Sequence, residues 1–231
     1  MDMIWNWFSD LGTRFYTAFI AADRWKLYLS GLENTLTITL GAICISTVLG
    51  MILCLMKISR YKLLRGPAKL YIDVIRGVPV VVQLMIIYFV VLATWTNKTA
   101  VGIIAFAINS AAYTAEIFRS GINAVDPGQM EAGRSLGLSH WQTMWHIIFP
   151  QAIKNCLPTY TSEFIVLVKE TAVVGYIGMT DLTKAYSTVQ SRTMDAMPPL
   201  IIIAVVYFII TKILAVIFSK LERRLRQSDR R

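Results

Sequence analysis

Glu131-Ala132-Gly133-Arg134-Ser135-Leu136-Gly137-Leu138-Ser139-His140-Trp141-Gln142-Thr143-Met144-Trp145-His146-Ile147-Ile148-Phe149-Pro150 is a polar, helix-prone island between stretches that belong in lipid. Glu131 and Ala132 are helix formers, and Gly137 interrupts the run where a short helix can end or bend. Trp141, Met144, Trp145 and Ile148 recur at helical spacing, so the right half reads as an amphipathic helix suited to a membrane surface or a neighbouring subunit. Pro150 is expected to end that helix. The plain reading is two short helices around a glycine elbow; on periodicity alone, an ordinary amphipathic loop fits as well.

Outward from this island the composition is that of a membrane protein. The 231 residues are 55% hydrophobic with a mean hydropathy of +0.55, above the ~45–50% of soluble domains. In a soluble protein the net charge of +9 would suggest nucleic acid. Here the charge is parcelled into loops and the C-terminal tail, which membrane topology explains and nucleic-acid binding does not. Cys44, Cys54 and Cys156 have no metal-ligand or pairing pattern and read as small buried hydrophobes. His140 and His146, six apart, do not share a helix face, so no metal site is expected.

Residues 1–30 mix aromatic with charged side chains and lack the pattern of a cleavable signal, so an interfacial helix is expected there. Thr35 to Met56 is an uncharged run long enough to cross the membrane. The basic residues that follow, Lys57, Arg60, Lys62, Arg65, Lys69 and Arg76, mark the cytoplasmic side and put the N-terminus outside. A second span is expected at Val78–Trp95, entered through Arg76-Gly77-Val78-Pro79, where Gly and Pro can set a kink or tight entry. Further spans are expected at Ala100–Phe118, Leu157–Met179 and Pro198–Phe218, with 180–197 as an external loop. The fold class is therefore an all-α membrane protein of five transmembrane helices. Its parts are an N-terminal region at 1–30, a transmembrane domain at 31–220 and a basic cytoplasmic tail at 221–231. Glu116 and Arg119, three apart, can pair on one helix face. No internal repeat of the spans is evident, which weighs against the many secondary transporters built from paired halves.

The fourth span carries Glu163, Lys169 and Glu170, each costing ~2.5–3.5 kcal/mol on insertion scales unless turned to a protein interior or an aqueous cavity. Mutual neutralisation, or a register that brings them to the interface, is one reading. The other is a site for a zwitterion: Lys169 for an α-carboxylate, a carboxylate for an α-ammonium or cationic side chain, and Thr171 for further polar contact. Lys212, in the fifth span, can face a cavity, snorkel or pair with a carboxylate.

The island also resembles the permease signature of bacterial ABC importers: Glu-Ala-Ala, three residues, Gly, nine residues, Ile, one residue, Leu-Pro. The matching positions are Glu131-Ala132-Gly133, Gly137, Ile147 and Phe149-Pro150, with Gly133 replacing the second Ala and Phe149 the Leu. Asp73-Val74-Ile75-Arg76-Gly77-Val78-Pro79 with Gln83-Leu84, then Ala112 to Ile122, then Gly128 to Ala132, are similar to the polar amino acid uptake branch of these permeases. The resemblance covers roughly residues 31–220.

It implies a transmembrane permease subunit of an ATP-driven amino acid importer in the bacterial cytoplasmic membrane. Glu131, Ala132, Gly133 and Gly137 would be the coupling residues that sit in a cleft of the ATPase subunit. Small residues there would let two backbones approach closely. The implied partners are a dimer of ATP-binding subunits, a second identical or similar permease, an extracytoplasmic amino acid-binding protein, the amino acid itself and the lipid bilayer, with no nucleic acid. No Gly-x-x-x-x-Gly-Lys-Ser/Thr loop is present, so ATP and Mg are expected on the partner ATPase and no cofactor on this chain. The chain is not expected to be catalytic, since no nucleophile, base and orienting group recur at workable spacing. In relatives with a membrane substrate site, the Lys-x-Thr stretch and an acid six residues earlier contribute. Here these are Lys169-Glu170-Thr171 and Glu163, with Ala172 where many relatives have Ser. An acid at that place is similar to permeases for basic amino acids; glutamine, glutamate or cystine remain alternatives, and an ion-driven transporter lies behind them.

Overall fold

The computed structural model describes residues 2–227; Met1 and the tail's last four residues, Arg230 and Arg231 among them, lie outside the described residues. Among the described residues ten α-helices follow one another. They are α1 (Asp2–Phe19), α2 (Trp25–Ile58), α3 (Lys62–Gly77), α4 (Val80–Ile86), α5 (Lys98–Asn123), α6 (Pro127–Ser135), α7 (His140–Thr143), α8 (Phe149–Glu170), α9 (Leu182–Thr193) and α10 (Met197–Gln227). The expected boundaries at 30 and 220 fall inside α2 and α10.

Long helices are what an apolar chain must form in lipid, where each backbone N–H and C=O has to be satisfied within its own segment. α2, α5 and α10 are each long and apolar enough to cross a membrane, and α3 with α4 makes a fourth crossing if the bent pair counts as one. α8, the remaining expected crossing, has 22 residues; the polar groups along it keep it out of the strongly apolar class.

At the centre lies the α2–α5 seam, which small residues close. A Cβ on Gly50 would stand 2.7 Å from the Thr114 side chain, and Ala42, Ala105, Ala111 and Ala112 are fully buried or nearly so. Gly121 does the same for α5 and α8, where a Cβ would meet the Cys156 Cβ at 2.6 Å. Ile38, Leu84, Phe106, Leu167 and Val174 fill the core around the seam. At one end of the seam Lys57 Nζ lies 2.5 Å from Glu116 Oε1, and Arg119 Nη2 lies 2.8 Å from Glu116 Oε2. The expected Glu116–Arg119 pair is thus a triad that ties α2 to α5.

The kink expected at the Gly77-Val78-Pro79 entry of the second span is a 108° bend between α3 and α4, because Val78, ahead of Pro79, is held extended at φ −113° and ψ 136°. The span's upright part is seven α-helical residues and a five-residue π-turn, Ile87–Val91, about 18 Å at 1.5 Å per residue. The fourth span stops as an α-helix at Glu170 and continues as a 3-10 turn, Thr171–Ile177. The expected external loop is the helix α9, capped by Asp181 and buried through Leu182, Ala185 and Val189 beneath Tyr28 and Ala18. Among the cysteines, Cys54 and Cys156 are buried as expected, but Cys44 faces outward. α10 buries almost none of its apolar window.

α1 is anchored by a two-pronged contact: Arg14 Nε donates to Asp195 Oδ2 at 2.7 Å and Nη2 to Oδ1 at 2.9 Å. These bonds hold the Asp195 carboxyl below the usual carboxylate range. A lowered folded pKa means that the stabilisation is complete above the unfolded value near ~3.9 and is lost as pH falls through the folded one. The protection of α1 amides, read as exchange relative to the intrinsic rate at each pH, should therefore be constant from neutral pH down to about 4 and fall below it, and Asp195→Asn should remove that dependence.

Glycines separate contact from open space. A Cβ on Gly31 would lie 2.6 Å from the Asp181 backbone, whereas one on Gly66 of α3 meets nothing within 4 Å. Gly31→Ala should lower the melting temperature through an overpacking cost of about 1–3 kcal/mol. Gly66→Ala should raise it slightly, by about 0.5–1 kcal/mol of helix propensity.

Candidate functional site

The elbow is built by local capping. Asp126 opens α6 by accepting from Gly128 N at 2.8 Å, with Pro127 in the first turn. α6 closes on a Schellman motif: Leu138 N donates to Gly133 O at 3.1 Å and Gly137 N to Arg134 O at 3.0 Å, with Gly137 at φ +85°. Ser139 then starts α7 with a reciprocal box, its Oγ accepting from Gln142 N while its own N–H donates to Gln142 Oε1. This is the two-helix elbow that the spacing predicts.

The four expected coupling residues divide. Glu131, Ala132 and Gly137 are exposed, while Gly133 is buried. A Cβ on Gly133 would stand 2.5 Å from Thr143 Cγ2, so its smallness lets α6 close onto α7 of the same chain. Around the exposed residues stand Leu136 at 81% exposure, Trp141 at 63% and Trp145 at 64%, an apolar rim on a polar elbow. Val125, Ile148 and Ala152 seal the underside.

Pro150 does not end the helix. A π-turn at Met144–Ile148 pairs Phe149 N with Met144 O, and Pro150 then sits in the first turn of α8. The wider turn absorbs the proline's missing donor, so α7, the π-turn and α8 run without a break from His140 to Glu170.

Farther along α8, Glu163 is half-buried and its Oε1 accepts from Ser110 Oγ of α5 at 3.1 Å. Among the described residues Glu163 Oε2 has no hydrogen-bond partner. Glu170, seven residues on, shares that helix face and is also half-buried, but Lys169 points elsewhere and is exposed. Thr171 is fully buried, and its hydroxyl donates to Val168 O at 2.7 Å. A single chain therefore groups Glu163 with Glu170, sets Lys169 about a third of a turn away, and uses Thr171 to finish α8. Lys212 is exposed on α10. No three His, Cys, Asp or Glu side chains come together as a metal site among the described residues.

The fold adds neighbours that no spacing reveals. Gln83 of α4 donates through Nε2 to Ile75 O at 2.6 Å and Val78 O at 2.7 Å, pinning the α3–α4 bend. Its Oε1 accepts from Asn109 Nδ2 at 3.2 Å. Asn109 Oδ1 is buried with no partner. Beside them the Arg76 guanidinium lies over the Tyr113 ring, 5.3 Å from its centroid. The bend, Asn109, Ser110 and Glu163 thus form a continuous polar strip inside the bundle.

Residues 35–227 match the family described as the inner membrane component of binding-protein-dependent transport systems. The chain is 38% identical over 204 residues to the arginine transport system permease protein ArtQ of Bacillus subtilis, covering 87% of this chain and 93% of that one. It is 37% identical over 200 residues to a putative glutamine transport system permease protein GlnP of Rickettsia bellii, covering 85% and 92%. Among solved structures, a chain from the crystal structure of an amino acid ABC transporter with histidines superposes with a TM-score of 0.81 at 46% identity, covering 86% of this chain and 94% of that one. A chain of the MetNI methionine ABC transporter in an inward-facing conformation superposes at 0.78 with 18% identity, over 89% and 99%, which bears on the fold alone.

Two substitutions test the geometry. Gly137→Ala puts a Cβ into a left-handed position at a cost of about 1 kcal/mol, so the Leu138 amide should exchange roughly fivefold faster. Gln83→Leu leaves two carbonyls at the bend without donors. Each is worth about 1–3 kcal/mol when buried, so the melting temperature should fall although hydrophobicity rises.

Proposed function

Since this chain belongs to the family of inner membrane components of binding-protein-dependent transport systems, we propose that it is the permease for basic L-amino acids, with Glu163 selecting the cationic cargo and the Glu131–Gly137 elbow receiving the ATPase. The chain is an ABC importer permease with the type I importer fold, a multi-pass bacterial membrane protein. The ATPase activity of such importers lies in a separate subunit, so this chain is not the catalytic one.

The observation that carries the cargo assignment is Glu163: a half-buried carboxylate on a membrane helix, held by Ser110 at one oxygen and open at the other. Such a group is costly unless it meets a cation or water. An arginine, lysine or histidine side chain supplies the charge-assisted partner. Glu170 extends the acidic face. Exposed Lys169 would meet the α-carboxylate across the cavity between two permeases, identical or similar. Thr171 acts by ending α8, which fixes the direction of Lys169 and Glu170. The relative named for arginine transport favours this cargo; the relatives named for glutamine transport favour a second reading, in which Glu163 meets the α-ammonium alone.

Coupling rests on continuity. The helical run from His140 to Glu170 is uninterrupted, through the π-turn and past Pro158 in its interior, so a displacement of the exposed elbow at Glu131, Ala132, Leu136 and Trp141 passes along it to Glu163. Gly133 and Gly137 preserve the elbow's shape. Two partner ATPases holding ATP and Mg would close on it from the cytoplasm, an external binding protein would deliver the amino acid, and the N-terminus would lie outside. Unequal affinity in the outward-facing and inward-facing states then drives release.

Uptake of labelled arginine into vesicles holding the whole complex and internal ATP tests both assignments. Excess lysine and histidine should compete, and Glu131→Ala should abolish ATP-driven uptake while the complex still assembles. Glu163→Gln should cut the preference for arginine over glutamine by roughly tenfold or more, the worth of one charge-assisted bond. An unchanged preference assigns Glu163 to structure, and uptake that persists without ATP but collapses with the ion gradient removes the class.

A further inference from the structure

The function described above does not use α3. This helix has three faces. Ala68 and Ile72 are buried, and Ile72 packs with Cys54, Ala112 and Ala115. At 100° per residue, Leu63, Pro67, Leu70 and Val74 form a second stripe, and they are exposed, Leu63 by 86%, Leu70 by 66% and Val74 by 53%. Lys62, Arg65 and Lys69 form a third stripe, also exposed, on which Asp73 is the one acidic residue; among the described residues none of the three cations has an ion-pair partner. Arg76 continues that stripe, but its guanidinium is turned onto Tyr113.

The orientation of α3 explains this division. Its axis makes 108° with α4, so when α4 stands upright α3 runs nearly in the membrane plane. Its Ile72 packs against Cys54 and Ala115, near the ends of α2 at Ile58 and of α5 at Asn123. A helix so placed, at the end of the bundle that carries the elbow, is suited to the boundary between headgroups and acyl chains. An in-plane helix with one apolar and one cationic stripe is the form that lies on lipid. Water would leave Leu63 and Leu70 unfavourably exposed; acyl chains alone would leave three ammonium and guanidinium groups without counter-charge.

We propose that α3 is a binding element for anionic phospholipid of the inner leaflet, with Lys62, Arg65 and Lys69 holding the headgroup phosphates and Leu63, Leu70 and Val74 seated among the acyl chains. Because Gln83 bridges the end of α3 to α4, the lipid steadies the bend next to Asn109. The inference rests on the chain's membrane placement and is independent of the cargo.

The test uses the complete permease–ATPase complex in nanodiscs of phosphatidylcholine with or without phosphatidylglycerol. Native mass spectrometry then counts the phosphatidylglycerol retained on release from the disc. Each cation near an anionic surface accounts for roughly fivefold in affinity, so Lys62→Gln/Arg65→Gln/Lys69→Gln should lose retention on the order of a hundredfold. The charge-preserving Lys62→Arg/Arg65→Lys/Lys69→Arg variant should stay within about twofold of the unsubstituted complex. Retention unaffected by the α3 glutamines overturns the proposal, as does loss of the ATPase subunit with lipid retention intact, which would give this face to a protein. A readout on the unsubstituted complex does not depend on any variant folding. Acylation of the Lys62 and Lys69 amines should slow in phosphatidylglycerol discs relative to Lys184, and equal rates in the two discs also refute it.

Discussion

The close approach of α2 and α5 is the constraint on which the other contacts depend. In lipid no hydrophobic force draws helices together, so association relies on van der Waals packing, polar bonds and small residues that admit a neighbouring backbone. Gly50 against Thr114 and the buried alanines of α5 provide that contact. Lys57, Glu116 and Arg119 close one end of the seam with charge. With α5 held there, Gly121 brings in α8 and Asn109 meets Gln83 of α4. Larger side chains along the seam would separate α2 from α5, and with it the strip that runs from Gln83 to Glu163.

Two departures from regular helix geometry adapt this frame to transport. The extended Val78–Pro79 step turns α3 into the membrane plane and leaves α4 short. The bend is not slack, because Gln83 satisfies the carbonyls it exposes. The π-turn before Pro150 does the reverse, keeping a helix whole through a residue that ordinarily breaks one. One element bends at the glycine–proline entry that the sequence marks, and the other continues where a stop was expected. In both, the cause is where the backbone donors and acceptors find partners.

The elbow was the most legible part of the chain, because its signals are local. Gly137 alone marked the interruption, and the caps that the structure adds around it, at Asp126 and Ser139, each act within one turn of chain. The apolar spans were legible for the same kind of reason: hydropathy acts residue by residue. α9 was not, since its polar composition matched a loop and only its packing against Tyr28 and Ala18 gives the buried face a partner. The polar strip was equally hidden, because Gln83, the Asn109–Ser110 pair and Glu163 are far apart in the chain and only Glu163 stands out alone.

Taken alone, the sequence determined an all-α membrane chain, the helix-elbow-helix, the Glu116–Arg119 pair and an intramembrane carboxylate at Glu163, all properties of composition or of residues within a few turns. Only the tertiary structure decided which of the suspected residues meet. It grouped Glu163 with Ser110 and Glu170, turned Lys169 outward, placed Thr171 in the interior and closed Gly133 onto Thr143 of its own chain. The physical reason is that helix periodicity states which face a residue occupies, whereas the identity of what covers that face depends on crossing angles and breaks. Those are set by contacts between segments distant in sequence, here the α2–α5 seam and the hydrogen bonds at the α3–α4 bend.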